Sequence, residues 1–82
     1  MTPTDMIRAR TVRVILREIR EHLEAMQRDV YGLEYAPWKC EVDTLWRQIF
    51  HQISLMSDAP QQLSLEVVQD DWIHYISHYA NS

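Results

Sequence analysis

Three observations predict an all-α fold, a three-helix up-down-up bundle with a long N-terminal helix. The first is periodicity. Ala9, Val12, Leu16, Ile19, Leu23, Met26 and Val30 recur at alternating intervals of three and four residues, which places them on one face of a helix. The second is a shortage of turn formers, because one Gly and three Pro in 82 residues leave little with which to build β-hairpins. The third is that two later segments repeat the three-four spacing and are joined by short connections. Such connections make successive helices antiparallel neighbours. The chain reads as one domain over residues 1–82.

The first helix is expected over about residues 3–31. Thr2-Pro3-Thr4-Asp5 is a helix start, with Thr2 as cap, Pro3 at the first helical position and Asp5 closing a Thr-x-x-acid capping box. Gly32 suits a left-handed C-cap. At 1.5 Å per residue such a helix is roughly 42 Å long, more than two shorter helices can cover completely. Opposite the apolar stripe, Arg10, Arg13, Arg17 and Arg20 form a second one, and Glu21, Glu24 and Arg28 continue the polar side. Ile7 and Val14 fit neither stripe and fall where a monomer would expose them.

The second helix is expected over about 37–56, opened by Pro37 and carrying Trp38, Val42, Leu45, Ile49, Ile53 and Met56, with Trp46 and Phe50 widening the apolar face. Residues Trp38 to Asp43 alternate apolar and charged as a half-buried strand would, but a lone strand has nothing to pair with. The third helix is expected over about 64–80, with Leu65, Val68, Trp72, Tyr75 or Ile76, and Tyr79 facing inward. Its start has two readings, a capping box of Asp58 with Gln61 or a cap at Ser64.

Charge is unevenly spread. Residues 1–20 carry five arginines against Asp5 and Glu18, a net +3, whereas residues 48–82 hold four acids and no Lys or Arg. The whole chain is at −4. A lone cysteine, Cys40, cannot form an internal disulfide, and no apolar run approaches the ~20 residues that span a bilayer. No secretion signal is visible at the N-terminus, so the expected setting is cytoplasmic, with no membrane partner.

Candidate chemistry is sparse. Asp70, His74 and His78 lie four apart on one helix, a spacing that presents ligands to a metal, yet a solvated polar stripe is the favoured explanation and a closed site needs a further ligand such as His22 or His51. Cys40 lies near an expected helix N-terminus but lacks a positioned base. The arginine row could meet phosphates, although the negative total charge and the single lysine argue against nucleic acid. No cofactor and no catalytic residue are expected. The expectation is a non-enzymatic protein-binding module, an adaptor or inhibitor that covers a surface of a partner. Its contacts would be Ile7, Arg10, Arg13, Val14, Arg17 and Arg20, its partner a protein with an acidic patch, and it could pair with a second copy through the first helix. The alternatives are a nucleic-acid-associated regulator and a metal-binding protein. Trp38, Trp46, Phe50, Trp72, Tyr75 and Tyr79 divide between core and interface in a way the spacing leaves open.

Overall fold

The computed structural model describes residues 2–28, 32 and 35–79. Three helices follow one another, α1 (Pro3–Arg28), α2 (Tyr35–Ser54) and α3 (Asp58–His78). The expected end of the first helix near residue 31, and Val30 of its stripe, lie outside the described residues. Gly32 has φ +68°, the left-handed conformation anticipated for a C-cap, where an L side chain would be strained although nothing crowds its missing Cβ.

Cross-links fix the directions of the helices. Arg8 donates to Gln52 (3.1 Å) and His22 lies 2.6 Å from Glu41, so α2 runs back along α1. Asp5 meets Ser57 at one end of α1 and Arg20 meets Asp71 further along it, so α3 runs parallel to α1. This is the up-down-up arrangement. The bundle measures 46 × 20 × 15 Å across its Cα positions.

The core is built first between α1 and α2, which approach each other most closely. Val12, Ile15, Leu16, Ile19 and Met26 pack against Val42, Trp46, Ile49, Ile53 and Met56. Burying each of the larger side chains stabilises the fold by about 1.5–3 kcal/mol. Ile15 widens the α1 stripe beyond the seven residues that the strict three-four spacing picks out, because a face packed against two neighbours is broader than a coiled-coil seam. α3 adds Val68 and Tyr75 to the buried apolar set, with Pro60 and Ser64 buried nearer its start, and reaches the pair through rings. Trp46 stacks on Phe50 at 5.8 Å, and Trp72 meets both edge-on at 5.1 Å. The Tyr75 hydroxyl donates to Asp43, and burial together with this carboxylate pushes the phenol well above its usual range. The aromatic set is therefore mostly core: Trp46 and Tyr75 are buried, and Trp38, Phe50, Trp72 and Tyr79 are half-buried against it.

The helix boundaries correct two expectations. α2 begins at Tyr35 rather than Pro37, which sits in the first turn where its missing N–H costs nothing, and α2 ends at Ser54. α3 begins at Asp58, six residues before Ser64. Its N-cap, Ser57, has an extended backbone, but its side chain does not cap its own helix. It instead donates to Asp5 on α1, through the hydroxyl at 2.8 Å and the N–H at 3.2 Å. The longer helix turns Ser64 inward, with its hydroxyl on the Met56 sulfur, and leaves Leu65 exposed rather than in the core.

Candidate protein-binding surface

The arginine row of α1 divides by position. Arg20 makes a two-pronged ion pair with Asp71 of α3, at 3.1 and 2.8 Å. Its guanidinium is thus held by the bundle itself. Arg10, Arg13 and Arg17 are exposed, with no hydrogen bond or ion pair among the described residues. Three full positive charges stand in solvent along about two turns of helix.

Ile7 and Val14 are exposed, at 64% and 43%, on the side of α1 turned away from both neighbours. They are not the largest apolar feature of the surface. α3 carries apolar residues on nearly every side, and Leu63, Leu65, Val67 and Ile73 are all exposed. A helix apolar all round has more to cover than one core face requires. Met6, at 55%, begins the same three-four stripe that continues through Arg10, Arg13 and Arg17. On α3, Leu63, Glu66, Val67 and Asp70 share a face by the same spacing.

Arg13 of the first stripe and Leu63 and Val67 of the second border one groove. Ala9, Val12 and Arg13 from α1 and Pro60, Leu63, Ser64 and Val67 from α3 line a shallow depression of about 80 Å³. Leu63 and Val67, 55% and 45% exposed, stand on its far wall with Arg13 on the near one. An apolar strip with guanidinium groups along one margin is the arrangement that anchors protein interfaces.

No protein-family model, curated protein or solved structure matches this chain.

The remaining candidates from the sequence fall elsewhere. Cys40 is exposed on α2, lining a cleft of about 300 Å³ with Glu18, His22, Glu41, Thr44 and Leu45. His22 is not free to serve it as a base. One ring nitrogen lies 2.7 Å from the Glu18 carbonyl oxygen and the other 2.6 Å from the Glu41 carboxylate. Two acceptors suit the doubly protonated ring, so its pKa is raised above 6.5. The Glu18 carbonyl is the largest cause, opposed by burial and assisted by Glu41. A raised histidine contributes stability in full below about pH 6.5 and loses it as pH rises through the raised value. The expected result is an NMR titration midpoint for the His22 ring above 6.5, and the elevation should be lost only in part in Glu41→Gln, since the carbonyl remains. On α3 the His74 and His78 rings pack edge-to-face at 4.3 Å. Among the described residues no three His, Cys, Asp or Glu side chains gather as metal ligands do. No helix of the described residues is long and apolar enough to cross a membrane.

Leu63, Val67 and Met6 are the surface residues that sequence reasoning passed over. The signal was present, since Leu63 and Val67 are four apart. It was hidden by starting the third helix at residue 64, which left Leu63 in a connector.

Proposed function

We propose that this protein is a non-enzymatic binding module that occupies a surface of another protein through the α1–α3 face. The observation that carries the reading is the pairing of three arginines without a partner among the described residues with the exposed Leu63 and Val67, which share one groove with Arg13. The partner that complements it is a protein segment with carboxylates along one edge of an apolar ridge, such as an acidic amphipathic helix. Leu63 and Val67 would supply much of the affinity by losing water, while Arg10, Arg13 and Arg17 would steer and orient the encounter. Ile7 and Val14 lie beyond the arginine row and would extend the contact for a broad partner. Arg20 would contribute only by exchanging Asp71 for a partner's carboxylate.

Nucleic acid is the weaker reading. The neighbouring α3 carries the exposed acids Glu66 and Asp70 and the whole chain is at −4, so a phosphate backbone laid along the row would approach a net-negative molecule. A cytoplasmic setting accords with the single cysteine.

The test is affinity capture from the native host, with the native protein, Arg13→Glu/Arg17→Glu and Leu63→Asp used side by side. A protein retained by the native chain and lost with both variants is the expected result. Loss of about tenfold or more in affinity for each variant fits truncation of central contacts. Retention that is indifferent to both variants overturns the reading, as does low-salt retention of DNA or RNA that the arginine variant abolishes.

A further inference from the structure

The other flank of α3, toward α2, is built from rings. Trp46, Phe50 and Trp72 meet between the two helices, and side chains this wide hold helix axes apart. The gap is not filled completely. A cavity of about 400 Å³ remains, lined by Asp43, Trp46, Arg47, Phe50 and Trp72. A second cavity, of about 190 Å³, continues along α3 past Leu65 to Glu66 and shares Phe50 and Trp72 with the first. Phe50 and Trp72 are half-buried, so part of each ring remains in water. A concave space of roughly 300–1,000 Å³, walled by aromatic side chains with a few polar groups at its edge, is the common form of a small-molecule site.

The charge at the edge selects the ligand. Asp43 and Arg47 are four apart on α2, where an acid and a base ordinarily pair. Here they do not. Asp43 accepts from the Tyr75 hydroxyl and from the Lys39 ammonium at 3.3 Å, which offsets its charge. Arg47 is exposed and has no hydrogen bond or ion pair among the described residues. The guanidinium is thus left for a group from outside, and its planar fork matches a carboxylate. Glu66 lies six residues before Trp72, about 9 Å along α3 from the helical rise. An anion is therefore drawn to the Arg47 end, and a long tail would run onto Glu66. The space between suits one or two fused rings, which attract Phe50 and Trp72 by offset stacking or edge-to-face contact.

We infer that the α2–α3 cavity binds a small aromatic carboxylate, its ring against Phe50 and Trp72 and its carboxylate on Arg47. This site is on the opposite flank of α3 from Leu63 and Val67, so an occupant here leaves the α1–α3 groove open. The two readings are independent, and failure of one leaves the other standing.

NMR titration of the nitrogen-15-labelled full chain with naphthalene-2-carboxylate tests it, read through the indole N–H signals of the three tryptophans. The Trp72 signal is expected to shift and saturate with a Kd of about 1 mM or below, as suits a ligand of this size. The signal of Trp38, which lines neither cavity, should stay in place. Arg47→Gln should weaken binding about fivefold or more, and Arg47→Lys less, because lysine keeps the charge but not the fork. Two control ligands on the native chain decide without any variant. The naphthylmethylammonium ion keeps the rings and reverses the charge, and cyclohexanecarboxylate keeps the charge and loses the ring. Each should bind more weakly than the aromatic carboxylate. The inference is overturned by a Trp72 signal that does not move, by shifts of all three indoles alike, by undiminished binding to Arg47→Gln, or by either control ligand bound as tightly.

Discussion

Trp46→Ala is expected to leave little folded protein at 37 °C. Trp46 is 2% exposed, in the core where α2 meets α3, and its indole stacks on Phe50 and meets Trp72 edge-on. Truncating a buried Trp to Ala costs about 3–5 kcal/mol, partly from lost burial and partly from the cavity left behind. The whole stability of a domain this size is about 4–12 kcal/mol at typical values per residue. Each kcal/mol moves the melting temperature by about 4–8 °C in a domain of this length, so thermal circular dichroism should show a fall of more than about 12 °C. Trp46→Phe should lose far less than the alanine variant. It keeps a ring against Phe50 and Trp72, and it discards an indole N–H that is buried with no acceptor among the described residues. Burying a donor unsatisfied costs about 1–3 kcal/mol, which offsets part of the lost volume. A Phe variant as unstable as the Ala variant would show that shape alone governs the site. Ile73→Ala is the control, because Ile73 is 48% exposed and a surface change of this kind stays within about 0.5 kcal/mol.

Asp5→Ala is expected to lower the melting temperature at pH 7 by more than Thr2→Ala does. The Asp5 carboxylate accepts hydrogen bonds from the hydroxyls of Ser57 and Thr2 and from the Ser57 N–H, and so ties the start of α1 to the start of α3. The Asp5 N–H in turn donates to the Thr2 hydroxyl, which caps α1. Removing the carboxylate undoes both ends of this knot, whereas removing the Thr2 hydroxyl undoes one. The effect should depend on pH with a definite sign. The Ser57 hydroxyl, then the Thr2 hydroxyl, hold the Asp5 pKa below its ordinary 3.8 against the opposing effect of burial. Its contribution is therefore complete above about pH 4 and is lost as pH falls through the lowered value. The gap in melting temperature between native protein and Asp5→Ala should be wide from pH 5 to 7 and narrow toward pH 2. A gap constant with pH would mean that the carboxylate's charge plays no part.

Asp5 also shows where sequence reasoning stops. Thr2 and Asp5 announce a capping box, since the three-residue spacing is a local property of any helix start. Ser57 is 52 residues away from Asp5, and nothing local to either marks them as partners. The same boundary runs through the candidate surface. Ile7 and Val14 were legible as exposed because one helix has only so wide a buried face. The free state of Arg10, Arg13 and Arg17, against the paired state of Arg20, was not legible, because all four repeat on one stripe and only the placement of Asp71 separates them.

The sequence by itself determined that this protein is helical, where two of its three helices fall to within a few residues, and most of the α1–α2 core. These follow from periodicity and from capping and turn chemistry, which act over one to four residues. Only the tertiary structure decided that α3 starts at Asp58, that Leu65 stays outside while Ser64 goes in, and that Leu63 and Val67 border the arginine row. α3 is apolar on almost every side, so its own spacing favours no face. Its orientation is chosen by what it meets: Asp5 at its cap, Asp71 drawn to Arg20, and the rings of α2 against Trp72 and Tyr75.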